Sequence, residues 1–225
     1  MPIRDVIIVG AGPSGIFSAL HLPSDLNILL LEKAEKPAQK LLMSAKGRGN
    51  LTNIHLSAQE YVSDDSHFVQ QALSHYGPQD FLSFLNQHMI AYHKEDNGRI
   101  LLASGKVAQF HDFLLSQLSD RRIEIAYRQS LLNLRKEKGI FLIETTTDHF
   151  QAKNVILATG SKSIPALGSS DIALQIAKKY ALSSTDFYPA LVGFETTKNL
   201  SALSGSSVIA NGELYLHNKL VYQQT

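Results

Sequence analysis

Val6-Ile7-Ile8-Val9-Gly10-Ala11-Gly12-Pro13-Ser14-Gly15 is an apolar run that stops in a glycine-rich turn, and Ile28-Leu29-Leu30-Leu31-Glu32 is a second apolar run that ends on an acid. Strand, G-x-G-x-x-G, short helix, strand, acid is the order in which a βαβ unit builds a cradle for a dinucleotide. Gly10 permits the tight turn, Gly12 omits the side chain that would block a pyrophosphate, and Gly15 lets the helix pack closely on the strand. The helix that begins at Pro13-Ser14 offers free N–H groups and a partial positive charge to phosphates. Glu32 follows Gly10 by 22 residues, where a carboxylate can accept hydrogen bonds from ribose hydroxyls. A purely structural turn would use the same glycines; the second strand and its terminal acid favour the dinucleotide reading.

Outward from this unit, which occupies residues 3–33 with its helix breaking at Pro23, residues 32–39 are polar and Lys40–Asn53 reads as loop. Helices are expected over 66–76 and 79–88, separated by Gly77-Pro78. Tyr92–Leu102 reads as a hairpin turning at Asn97-Gly98. Val107, Phe110, Phe113, Leu114 and Leu118 have helical spacing within 106–118. Four extended runs follow, Ile123–Ala126, Leu131–Arg135, Ile140–Thr146 and Asn154–Ala158, with turns at Lys138-Gly139 and Asp148-His149. That succession predicts a crossover made by a small antiparallel sheet instead of a helix. A helix over 170–181 comes next, and from Tyr188 the chain becomes Ser/Thr/Gly-rich and β-like, with a turn at Asn211-Gly212.

A second dinucleotide signal is Val155-Ile156-Leu157-Ala158-Thr159-Gly160, a buried-type strand with small residues at its carboxyl end, 145 residues after Gly10. Small residues there let a cofactor approach the backbone at the end of the sheet where ligands sit.

Composition removes other classes of function. Lys and Arg total 21 against 20 Asp and Glu, for a net charge of +1, which gives no electrostatic case for nucleic acid or an anionic membrane. Without cysteine there is no disulfide, thiolate zinc site, iron–sulfur cluster or dithiol relay. The nine histidines include no H-x-H or H-x-x-x-H pair, so no metal site is expected. No G-x-S-x-G elbow anchors a hydrolase triad. Met1-Pro2-Ile3-Arg4-Asp5 leads directly into a strand with no signal-peptide pattern, and apolar runs are too short for a membrane helix; a cytoplasmic protein is expected.

Taken together, Gly10–Gly15, Glu32, the meander and Val155–Gly160 resemble a flavoprotein of the two-dinucleotide-binding-domain type. Three segments, Lys40–Asn53, Asn97–Lys106 and Val155–Gly168 with Pro189–Val192, resemble more closely the bacterial NAD(P)/FAD-dependent oxidoreductases grouped with aminoacetone oxidase and the bile-acid reductases. The resemblance implies an α/β fold: a Rossmann-like FAD-binding domain with a parallel sheet and an antiparallel β-meander crossover, plus the start of an inserted mainly-β domain. It implies domains at 1–188 and 189–225, with Thr225 inside an insertion after which relatives return to complete the FAD site. The chain is on that basis expected to be a fragment or a truncated relative.

FAD is the implied cofactor, NAD(P)H a candidate electron donor, and a small organic molecule or oxygen the acceptor. Gly10, Gly12, Gly15 and Glu32 would hold the ADP half, with Lys33 and Lys40 near ribose or phosphates. Gly47, Arg48, Gly49, Asn50 and Thr52 would pass near the pyrophosphate and flavin, Leu131 beside the adenine, and Thr159 and Gly160 on the far side. Gly49 stands where the family carries a cysteine, and Gly168-Ser169-Ser170-Asp171 replaces a glycine-richer run. No general acid or base can be named. A plain NAD(P)-binding dehydrogenase and a non-catalytic relative are the alternatives.

Overall fold

Val6–Val9 and Ile28–Leu31 are apolar at every position because both of their faces are covered. The computed structural model describes residues 2–63, 65–162, 170–188, 197–199, 201–204, 206 and 211–224. The chain divides into two units, Met1–Phe187 and Tyr188–Thr225.

In the first unit, β1 (Ile3–Val9) leads through α1 (Pro13–His21) to β2 (Ile28–Leu31), with β1 and β2 parallel and Val9 beside Leu31. β6 (Glu124–Ala126) lies parallel to β2 on the outer side, and β9 (His149–Leu157) lies parallel to β1 on the other. Between them in sequence, β7 (Leu131–Glu137) and β8 (Ile140–Thr145) form an antiparallel meander that runs into β9. The six strands make one sheet in the order β6-β2-β1-β9-β8-β7. The sequence correctly indicates a meander in place of a helix. The antiparallel meander is continuous with the parallel strands, because β9 is nine residues long and pairs with β1 and β8 at once.

Alternation along the central strands sorts side chains into two cores. Val6, Ile8, Ile28 and Leu30 join Ile16 and Ala19 of α1, Leu85 of α4 (Pro78–Gln87) and Phe110, Leu114 and Leu118 of α5 (Val107–Asp120). Ile7, Val9, Leu29 and Leu31 join Leu131, Leu134, Ile143 and Ile176, the last from α6 (Ile172–Lys179). Ile7, Ile8, Leu30 and Leu31 are fully buried, each contributing about 1.5–3 kcal/mol. Arg121, just after α5, donates to the carbonyls of Ala19, Leu20 and Leu22 at 3.2, 2.6 and 2.7 Å, closing the C-terminal end of α1.

Lys40–Asn53 is more ordered than its composition suggests. It forms α2 (Gln39–Leu42), a 3-10 turn at Ser44–Gly47 and β3 (Asn50–Asn53). β3 pairs with β5 (Arg99–Leu102), which also pairs with β4 (Tyr92–Lys94) across the expected Asn97-Gly98 turn. α3 (Ser66–His75) starts from Asp65, whose side chain accepts from Phe68 N at 3.0 Å.

The second unit contains a hairpin of β10 (Gly212–Leu216) and β11 (Lys219–Gln224). Its turn is at His217-Asn218, with φ of 48° and 60°, and not at Asn211-Gly212, where the strand begins. Two left-handed residues match the twist of the flanking strands, and Asn tolerates that region. Residues 163–169 and 189–196, which carry part of the family resemblance, lie outside the described residues.

Candidate functional site

The chain leaves β1 toward β2 on one side and returns as β9 on the other, so the carboxyl ends of β1 and β9 flank a point where strand order reverses. Open α/β sheets bind ligands at such a point. Gly10 turns there with φ of +108°, and a Cβ on it would sit 2.4 Å from the Ala158 carbonyl oxygen at the end of β9. On Gly15 a Cβ would sit 1.9 Å from the Gly10 carbonyl oxygen, so glycine is what lets α1 lie against the turn. Gly12 differs from both: its backbone is ordinary, with φ of −76° and ψ of 177°, and a Cβ there would meet nothing within 4 Å. It faces open space. As the N-cap of α1 it supplies no side-chain acceptor to the first-turn amides.

That space is a cleft of about 670 Å³ including its open mouth. Of the residues singled out in the sequence, Gly12, Pro13, Ser14, Glu32, Lys33, Lys40, Thr159 and Gly160 line it. Ala34, Lys36, Ala38 and Gln39 line it too and were not foreseen; the polar run 32–39 after β2 was their only signal. Lys40 reaches across, its Nζ 3.0 Å from the Cβ position of Gly160 on the opposite wall. Leu131 sits apart, in an adjoining cleft with Val9, Ser130, Asp171, Ile172 and Gln175; Lys33 and Thr159 line both clefts. Lys162 bonds Asp171 at 2.7 Å and holds its carboxyl below the usual range.

Glu32 is buried, and each of its carboxylate oxygens accepts a main-chain N–H: Oε2 from Ala11 at 2.9 Å and Oε1 from Ala34 at 2.8 Å. The acid expected to meet a ribose therefore also ties the glycine turn to the end of β2, with a further lone pair on each oxygen. Burial, and then the charge of Glu32, push the neighbouring Tyr127 hydroxyl up from its ordinary pKa.

The Thr159 hydroxyl oxygen is buried and has no hydrogen-bond partner. Such a group is rare in a finished structure and costs about 1–3 kcal/mol when left unpaired. Open space before Gly12, uncapped amides of α1, Lys40 across the cleft and this orphaned hydroxyl together fit a diphosphate-bridged dinucleotide.

Gly47, Arg48, Gly49, Asn50 and Thr52 line neither cleft. Gly49 is buried, with a Cβ position 3.1 Å from Leu102 and Val107, while Asn50 and Thr52 belong to β3. Strand pairing and packing thus account for part of what read as an open loop. No group of acidic or histidine side chains that could hold a metal ion occurs among the described residues. No helix among them is long and apolar enough to cross a membrane.

A family model described as the HI0933-like protein Rossmann domain matches residues 4–202. The chain belongs to the HI0933-like Rossmann family. Proteins similar to it include those named ribosomal RNA dihydrouridine synthase from Escherichia coli (30% identical, 96% of this chain, 56% of the relative) and Haemophilus influenzae (32%, 90% and 52%). Another is the 3-dehydro-bile acid delta(4,6)-reductase of Clostridium scindens (28%, 93% and 55%), in keeping with the resemblance to bile-acid reductases. The chain spans about half the length of these curated relatives. Among solved structures, Thermovibrio ammonificans THI4 shares the fold at a TM-score of 0.50 and 15% identity, over 80% of this chain and 64% of that one. The HI0933-like chain thus has a mixed α/β, Rossmann-like architecture.

Proposed function

We propose that this chain binds FAD and serves an oxidoreductase that adds hydrogen across a carbon–carbon double bond conjugated to a carbonyl, with NAD(P)H as electron donor. The observation that carries the cofactor reading is the open face of Gly12 in a cleft also lined by Thr159, whose buried hydroxyl has no partner. The amides of α1 would hold the pyrophosphate, Lys40 would add charge, and Glu32 would take a ribose hydroxyl on its remaining lone pairs. Leu131 would lie along the adenine, and Thr159 would donate its orphaned proton to the dinucleotide. Gly47–Thr52 would meet the flavin end, as the family resemblance implies. When bound, FAD supplies hydride acceptance and donation; the protein supplies binding, orientation and exclusion of water.

The class of acceptor follows from the names of the relatives. Forming dihydrouridine and reducing a 3-dehydro Δ4,6 bile acid are both hydrogenations of a double bond conjugated with a carbonyl. The near-neutral charge supports a small organic acceptor. A uracil ring in ribosomal RNA is the second reading, favoured by the two relatives at 30% and 32% identity. Kinship with aminoacetone oxidases and a cytoplasmic location belong to the same proposal.

The test is anaerobic incubation of the FAD-loaded chain with NADPH and, separately, a steroid 4,6-dien-3-one or a uridine-containing ribosomal RNA fragment. Saturated product from either acceptor supports the reading and selects the substrate class. Cofactor oxidation with neither product contradicts the double-bond assignment.

A further inference from the structure

The segment Arg128–Leu131 is hydrogen-bonded to residues that line the first cleft and itself contributes to the lining of the second. On one side Gln129 N donates to the Glu32 carbonyl at 2.8 Å and Arg128 N to that of Ala34 at 3.3 Å, in the stretch that lines the first cleft. On the other, Ser130 and Leu131 help line the second. Here the chain buries two polar side chains, Gln129 and Thr145, at 8% and 5% exposure. Burying a carboxamide is unfavourable unless its hydrogen bonds are replaced. Gln129 replaces three of its four: Nε2 donates one N–H to Asp148 Oδ2 at 2.9 Å, and Oε1 accepts from the Thr145 and Thr147 hydroxyls at 2.5 and 2.9 Å. The Thr145 hydroxyl also accepts from Asp148 N at 3.0 Å. Outside this ring, Thr146 N donates to the Ser130 carbonyl at 3.0 Å and the Thr146 hydroxyl to the Arg128 carbonyl at 3.2 Å.

An apolar side chain would bury as well but could slide. A carboxamide meeting a carboxylate and two hydroxyls fits in one position and orientation. Through it the β8–β9 turn, which lines neither cleft, fixes the main chain that joins both. We propose that Gln129, held by Thr145 and Asp148, is a positioning residue for the dinucleotide: it sets Ser130–Leu131 against the adenine side and, through Glu32, the ribose side. This rests on the FAD reading above.

The test compares Thr145→Val, which keeps the shape and removes the hydroxyl, with Thr145→Ser, which keeps the hydroxyl. FAD affinity is measured by fluorescence titration, and amide hydrogen exchange is followed in the cofactor-free chain. Thr145→Val is expected to raise the FAD Kd about fivefold or more, with faster exchange at the Gln129 and Thr146 amides, and Thr145→Ser to stay within about twofold. Asp148→Ala against Asp148→Asn repeats the comparison at a partly exposed turn position. Wild-type affinity in folded Thr145→Val and Asp148→Ala overturns the positioning role alone. A wild-type chain that takes up no FAD, with unchanged exchange in Thr145→Val, overturns the cofactor reading and this role together.

Discussion

A methyl group on Gly12 would touch no protein atom: nothing lies within 4 Å of its Cβ position, and the backbone there suits any residue. Alanine is a poorer N-cap than glycine by about 0.5–1 kcal/mol. It also restricts the unfolded chain, which returns about 0.4–1 kcal/mol. Gly12→Ala should therefore leave stability within about 1 kcal/mol of wild type. Gly15→Ala is different, because its Cβ would sit 1.9 Å from the Gly10 carbonyl oxygen, and overpacking of that kind costs about 1–3 kcal/mol or more. For the dinucleotide the order reverses in importance. A methyl on Gly12 occupies the surface a pyrophosphate must reach to meet the α1 amides. Losing two charge-assisted hydrogen bonds at about 1.5–3 kcal/mol each weakens FAD binding by more than a hundredfold. Thermal melts of the cofactor-free proteins and calorimetric titration with FAD measure both quantities. A Gly12→Ala chain that binds FAD like wild type, or that melts as early as Gly15→Ala, refutes the assignment of Gly12 to the ligand.

Three further substitutions probe the same frame. Thr159→Val removes a buried hydroxyl with no partner, so it should hold or raise cofactor-free stability, by up to about 1–3 kcal/mol, while lowering FAD affinity; a melt and a titration read the opposite signs. Glu32→Gln turns an amide N–H₂ toward one of two main-chain donors and should destabilise even the cofactor-free chain by about 1–3 kcal/mol, seen in urea unfolding. The Lys153 ammonium, and then the Asn27 main-chain N–H, hold the Asp5 carboxyl below its ordinary range. Its folded pKa is lowered, so its contribution is complete above the unfolded carboxyl pKa and is lost as pH falls through the folded one. Asp5→Asn should then flatten the stability–pH curve below about pH 4, and melts across that acid range would show it.

Much of the frame is legible in local pattern. Uninterrupted apolar runs at Val6–Val9 and Ile28–Leu31 betray strands covered on both faces, and glycine spacing places the turn between them. The Lys138-Gly139 turn and the alternation on either side of it mark the meander. What escapes the sequence depends on partners distant in the chain. Asn50–Asn53 lacks any β signature and becomes a strand only because β5, about 50 residues later, presents its edge. His217-Asn218 forms the hairpin turn in place of the more familiar Asn-Gly pair because register between β10 and β11 fixes where the chain reverses. The site divides in the same way. Sequence pattern marks Gly12 and Glu32, and the family resemblance implies Lys40 and Thr159, as neighbours of one cleft. It cannot show that Glu32 already holds two main-chain amides, that the Thr159 hydroxyl lacks a partner, or that Gln129 is buried in a closed ring of hydrogen bonds. The Glu32–Ala11 and Gln129–Thr145 bonds join residues 21 and 16 apart, and the Thr159 hydroxyl is defined by the absence of a partner.

The central claim is that the cleft between β1 and β9 holds FAD. The most direct measurement is the visible spectrum of the purified chain, before and after adding FAD, with the nucleotide released by denaturation identified chromatographically. The account predicts a flavin band near ~450 nm that travels with the protein and yields FAD. A colourless chain that takes up no FAD, or one that binds NAD(P) in its place, contradicts it.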